Sequence, residues 1–355
     1  MRRAPGAAGR GGEPLRLDLL RALCEASGPS GREERVAAIV RPELEATCDR
    51  VEEEPLGGLV GIRPGEGRGP RLMLAAHMDE IGLMVTHVED RGFLRVIPLG
   101  GWDARTLDGQ RVLVRGREDV PGVVGTTPVH LLDEAERRKA PRLEDLAVDT
   151  GLPGERAREL VRPGDVITRT RTLEALGDLL TCKAIDDRVG VFVMLEALRA
   201  AGPAPAEVHA AATVQEEVGL RGARVAAARV RPEIGVAIDT CPADDGPGRP
   251  ANGPTTKLGR GAAIRVMDAS AICAPALVDL MLRIAGERGI PHQLHVSNRG
   301  GTDTQAMQLA AEGAVAGCVS IPTRYGHSSV EACHPADVEA AIALVAGLVE
   351  EAHTL

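Results

Sequence analysis

Apolar residues are distributed along this chain in two textures. Leu72–Ala76, Val208–Val214, Ile234–Ile238 and Ala314–Ile321 are almost continuously apolar. A strand with one wet face alternates, whereas a run without polar interruption suits a strand covered on both faces of an α/β sheet. Helices are expected where crossovers between such strands need them: Leu15–Ala26, Asp187–Ala201, Pro275–Arg288, Asp303–Ala311 and a C-terminal helix opened by Pro335. Ser30 and Glu33 stand at capping-box spacing and predict a further helix from about Gly31. Between Val85 and Arg171 the texture changes to short β-type pieces, Phe93–Ile97, Arg111–Val114, Gly122–Val124 and Asp165–Thr168, separated by Gly and Pro turns. The expected architecture is α/β, a mixed, mainly parallel sheet covered by helices with a small β-barrel-like domain inserted. Residues 15–84 and 172–355 would form the main domain and 85–171 the insertion, with residues 1–14 a disordered leader.

Composition narrows the classes of function. With 355 residues, 44% of them hydrophobic, the chain can build one large core and a satellite. Its 42 basic and 51 acidic residues give a net charge of −9 and no basic stripe, which argues against a nucleic-acid partner. Aromatic residues are only 1%, too few for base-stacking platforms or membrane belts. No apolar run reaches the roughly 18 residues of a membrane span, and the N-terminal stretch has no signal-peptide core. Seven scattered cysteines without a Cys-x-x-Cys spacing point away from a disulfide framework or a thiolate zinc site and towards a reducing cytoplasm.

The strand candidates end in ionisable groups. Leu72–Ala76 leads into His77-Met-Asp79-Glu80, Val208–Val214 into Gln215-Glu216-Glu217, Ile234–Ile238 into Asp239, and Ala314–Ile321 into a loop carrying His327. Ligand crevices of open α/β sheets lie beyond the carboxyl ends of the strands, so these residues can converge although distant in sequence. His77 and Asp79 would share one side of an extended segment, letting the acid orient the imidazole. Glu216 and Glu217 leave the chain in different directions, which suits one to bind a metal and the other to accept a proton from water. Asp186 and Asp187 open a helix, where they also read as ordinary first-turn acids. Asp239 and His327 taken singly read equally well as a strand-end cap and an incidental loop histidine. As a set, two histidines and three carboxylates suit zinc, cobalt or manganese.

Seven segments in this order resemble the glutamyl and tetrahedral aminopeptidases, the M42 family of dinuclear metallopeptidases. They are Ser27-Gly-Pro-Ser-Gly31, His77-Met-Asp-Glu-Ile-Gly82, Lys183-Ala-Ile-Asp-Asp-Arg188, Thr213-Val-Gln-Glu-Glu-Val-Gly-Leu-Arg-Gly222, Ala237-Ile-Asp239, Gly300-Gly-Thr-Asp303 and Ile321-Pro-Thr-Arg-Tyr-Gly-His327-Ser. The resemblance implies a zinc-peptidase fold in which Asp186 bridges two divalent metals, His77 and Asp239 complete one site, and Glu217 and His327 the other. It makes Glu216 the general base and Asp79 the partner of His77. It also implies peptide substrates with a free N-terminus, and assembly through the inserted domain into a homo-oligomer of the tetrahedral dodecamer type. A related two-metal deacylase or carboxypeptidase, and a catalytically silent scaffold, are the competing readings.

Overall fold

The computed structural model describes residues 15–139, 141–247 and 256–355, so the expected leader lies outside the described residues. Two helices come first, α1 (Leu17–Glu25) and α2 (Glu34–Thr47), then β1 (Arg50–Glu53), β2 (Leu59–Arg63) and β3 (Arg71–His77). Six strands follow: β4 (Gly82–Val88), β5 (Leu94–Leu99), β6 (Arg111–Arg115), β7 (Asp119–Gly125), β8 (Ala147–Asp149) and β9 (Val166–Arg169). The short helices α3 (Glu134–Arg137) and α4 (Gly154–Leu160) lie among them. The chain then runs β10 (Glu174–Leu176), β11 (Leu179–Cys182), α5 (Ile185–Ala200), β12 (Glu207–Thr213), α6 (Arg221–Val230) and β13 (Ile234–Pro242). It ends with β14 (Ala262–Met267), α7 (Pro275–Arg288), β15 (His292–Val296), α8 (Thr304–Gln308), β16 (Val315–Arg324), β17 (Glu331–Cys333) and α9 (Pro335–Glu351).

One large sheet has the order β1-β2-β12-β3-β13-β16-β17-β11-β10, with β14 and β15 branching from β16. Its centre, β12-β3-β13-β16, is parallel throughout, which brings the four strand ends singled out in the sequence to one edge. The unbroken apolar runs have a direct cause here. In β3, Leu72, Leu74 and Ala76 enter the core shared with α5 and α9, while Met73 and Ala75 enter a second core with α6 and Met307 of α8. Both faces are covered, so both sets of alternate positions are apolar.

Two expectations shift. The helix expected over Asp303–Ala311 is only Thr304–Gln308, because the chain turns back through a positive φ at Ala311 to enter β16. The expected Ser30–Glu33 capping box does not form: α2 begins at Glu34 and no side chain caps it. Both residues are held instead by tertiary partners, described below.

Strands β4 to β9 close into a six-stranded barrel, β4-β5-β8-β7-β6-β9. Its interior is a separate cluster of Leu and Val with Ile167. The barrel leaves the sheet a few residues after His77 and returns before β10, so the loop after β5 can reach the same edge. No described helix is long and apolar enough to cross a membrane.

Candidate active site

A cavity of about 1240 Å³ opens at the carboxyl ends of the parallel strands, and His77, Asp186, Glu216, Glu217, Asp239 and His327 all line it. His77 is the last residue of β3, Glu216 and Glu217 follow β12, and His327 follows β16. Asp239 lies inside β13 rather than beyond it. Asp186 stands at the non-helical start of α5.

The Asp186 carboxylate lies between the two imidazoles. Its Oδ1 is 3.3 Å from His77 Nε2, and its Oδ2 is 3.6 Å from His327 Nε2. Glu217 Oε1 is 3.2 Å from His327 Nε2, and Glu216 Oε2 is 4.0 Å from His77 Nε2. The other ring nitrogen of each histidine faces an acceptor: His327 Nδ1 lies 2.9 Å from the carbonyl oxygen of Gly101, and His77 Nδ1 lies 3.2 Å from that of Asp79. Nδ1 therefore carries the proton in each neutral ring, and Nε2 is left with its lone pair towards the cavity. Gly101 belongs to the loop after β5, so the barrel orients one of the site histidines.

Asp79 is fully buried and makes more contacts than the sequence suggests. Its Oδ1 is 3.4 Å from His77 Nδ1 and accepts the Glu216 N–H at 2.9 Å. Its Oδ2 accepts the Ser30 hydroxyl at 2.6 Å and the Glu217 N–H at 3.2 Å. One carboxylate thus holds both the imidazole and the backbone of the Glu-Glu pair.

Electrostatics tests whether this donor set suits a metal. Burial, the charges of Asp239 and Glu217, and that of Asp303 push the Glu216 carboxyl well above its ordinary value. Burial and the charge of Asp186 raise Asp239 to about 8 and the neighbouring Glu331 to about 8. His327 is raised to about 10: burial opposes its charge, but Glu217 and Asp186 prevail. The protein alone therefore crowds more negative charge here than it neutralises. Divalent cations would remove that imbalance and leave both imidazoles neutral, so the residues fit the metals that the sequence implied.

His77, Asp186 and Glu217 place ligand atoms within 4.8 Å of one another, and so do His77, Asp187 and Asp239. Asp187 was not among the expected ligands. It does not line the cavity; it accepts the backbone N–H of His77 at 3.3 Å and that of Gly190 at 3.1 Å. It ties the end of β3 to α5. Sequence reading also missed Glu331, which accepts the Asp186 N–H at 2.9 Å, and Glu80. The latter accepts Lys183 Nζ at 2.9 Å with both partners 1% exposed. An acid after His-x-Asp and a lysine three positions before Asp186 were visible, but nothing in one sequence pairs them.

The M42 glutamyl aminopeptidase family matches residues 57–344. The chain is similar to a lysyl aminopeptidase of Pyrococcus furiosus, 36% identical over 94% of this chain and 96% of the relative. Among solved structures it resembles an aminopeptidase from Desulfurococcus kamchatkensis, with 40% identity, 94% of each chain covered and a TM-score of 0.90. It also resembles the Pyrococcus horikoshii TET1 peptidase, described as assembling into a tetrahedron or a large octahedral shell. There the identity is 35%, the coverage 94% of this chain and 99% of the other, and the TM-score 0.85.

Proposed function

The chain belongs to the M42 glutamyl aminopeptidase family, and from that premise we propose that it is a two-metal aminopeptidase releasing N-terminal residues from peptides. The observation that carries this reading is the Asp186 carboxylate set between His77 and His327, one oxygen facing each imidazole. Asp186 would be shared by the two ions, His77 and Asp239 would hold one, and Glu217 and His327 the other; zinc and cobalt suit the mixed imidazole and carboxylate donors, and manganese is compatible. When bound, the cations supply the positive charge that polarises a peptide carbonyl and acidifies water.

The remaining steps belong to the chain. Glu216 is partly buried, its side chain 11% exposed, and projects into the cavity from a backbone held by Asp79. It takes a proton from the attacking water and passes it to the nitrogen of the leaving amine. Asp79 keeps the ring of His77 fixed through that transfer. The choice of the amino end of the peptide rests on membership of the glutamyl aminopeptidase family and on the lysyl aminopeptidase relative. We further propose that residues 85–171 mediate assembly into a closed homo-oligomer, the Pyrococcus horikoshii relative being described as assembling into a tetrahedron or a large octahedral shell. A cytoplasmic setting agrees with seven free cysteines.

The test is a pair of variants. Glu216→Gln should bind its metals, measured by mass spectrometry, and lose about 10²- to 10⁴-fold in turnover. Asp186→Ala should lose metal. Full turnover in the first, or unchanged occupancy in the second, refutes the assignment.

A further inference from the structure

The segment Ser27–Glu33 carries a sequence signal for a helix cap, yet none of its side chains caps α2. The Ser30 hydroxyl donates to Asp79 Oδ2 at 2.6 Å. Glu33 Oε1 accepts two backbone N–H groups, from Gly31 at 2.7 Å and from Gln215 at 3.0 Å. Gly28 is tied to the segment that follows β3: its N–H donates to Glu80 Oε1 at 3.1 Å, and its carbonyl accepts the Glu80 N–H at 3.0 Å. Ser30 and Glu33 are 5% and 4% exposed.

The bonds of Ser30, through Asp79, and of Glu33 converge on residues 215–217. Gln215 has φ 55, in the left-handed region, which costs a non-glycine residue roughly 1 kcal/mol and needs an outside hold. Glu33 supplies that hold one residue before Glu216. Asp79 takes the N–H groups of Glu216 and Glu217, and Ser30 is the hydroxyl that fixes the Asp79 carboxylate in that pose. From outside, Arg115 of the barrel strand β6 donates to the Arg32 carbonyl at 2.7 Å and keeps the segment pressed inward.

We propose that Ser30 and Glu33 are positioning residues for proton transfer, Ser30 acting through Asp79 and Glu33 through Gln215 to fix the backbone from which Glu216 projects. The inference rests on the reading of Glu216 as the base. Misplacing a reacting group by about 1 Å costs on the order of a hundredfold in rate, so loss of either hold is read in kcat. Neither residue lines the cavity, so KM has no reason to follow.

The experiment measures kcat and KM on an aminoacyl p-nitroanilide, with bound metal and unfolding midpoint determined for every protein. Ser30→Ala and Glu33→Ala should each lower kcat about ten- to a hundredfold, with KM within about twofold and metal content unchanged. Ser30→Thr restores the hydroxyl and Glu33→Gln keeps an acceptor oxygen, and each should recover most of the rate. Wild-type kcat in both alanine variants overturns the proposal. So does a loss that follows metal content or unfolding midpoint and is recovered by neither conservative variant. Wild-type protein and Glu216→Gln run alongside separate the two readings. An inactive wild type, or an active Glu216→Gln, sinks the base assignment; an active wild type and a silent Glu216→Gln beside unaffected alanine variants sinks this inference alone.

Discussion

Replacing Lys183 by Met removes one half of a buried ion pair three residues before Asp186. Lys183 Nζ is 2.9 Å from each Glu80 oxygen, with both side chains 1% exposed, and it also donates to the Ala26 carbonyl at 3.1 Å. Burial disfavours the Glu80 charge, but Lys183 and Arg188 overcome it and hold the carboxyl below its ordinary value. Breaking a buried pair on one side costs about 3 to 5 kcal/mol. Glu80 keeps the Gly28 N–H at 3.1 Å and Arg188 at 3.5 Å, which places Lys183→Met near the lower end, at about 3 kcal/mol. Urea unfolding followed by circular dichroism, at one fixed protein concentration, should show the midpoint fall with an unchanged slope. Because Arg188 remains as the buried partner of Glu80, removing that carboxylate as well strands the guanidinium, so Glu80→Gln combined with Lys183→Met should be less stable than Lys183→Met alone. A single-variant loss below about 1 kcal/mol, or a double variant more stable than the single, refutes the reasoning.

Three further outcomes follow from the same structure. His295 is lowered to about 4, by burial and then by the Arg265 charge; its folded form is neutral, so its contribution is complete above the unfolded value near 6.5 and is lost as pH falls from there towards 4. Because His295 lines the open cavity, solvent screening limits the total to roughly 1 to 2 kcal/mol, and urea unfolding across that window should show a shallower pH dependence in His295→Asn. Trp102 donates Nε1–H to the Gly82 carbonyl at 2.7 Å, and its ring lies 4.6 Å from the buried Arg169 guanidinium. Trp102→Phe should cost about 1 kcal/mol for the lost bond, and Trp102→Leu a further 1 kcal/mol or so for the lost cation–π contact, both measured in the same unfolding assay. A Cβ at Gly82 would lie 2.6 Å from Pro29 Cβ and 3.0 Å from the Ile167 carbonyl. Gly82→Ala should therefore destabilise by about 1 to 3 kcal/mol, and kinetics should show kcat falling, since Pro29 adjoins Ser30.

The α/β layout was readable because its signals are local. A strand buried on both faces must be largely apolar, as β3 is between Leu72 and Ala76 and β12 is between Val208 and Ala212 apart from His209, and the ionisable residues at their ends then stand out. The helices α7 and α9 open with proline as read from the chain. What escaped depends on contacts between distant segments. Ser30 and Glu33 have cap spacing, but a buried carboxylate and a strained backbone at Gln215 compete for their oxygens and win. Asp187 reads in the sequence as a first-turn helix acid and Glu331 carries no local signal, whereas the fold places them behind His77 and Asp186. The Gly101 carbonyl that orients His327 comes from the barrel, 226 positions away in sequence, and no local pattern announces it.

The central claim is that the Asp186-centred cluster binds divalent metals and cleaves at a free N-terminus. Its most direct test titrates zinc or cobalt into metal-stripped protein while following release of the first residue from a peptide and from its N-acetylated twin. The account predicts no release without metal, saturation near two ions per chain, and cleavage of the free peptide alone. Metal-independent release, or equal cleavage of the acetylated peptide, would contradict it.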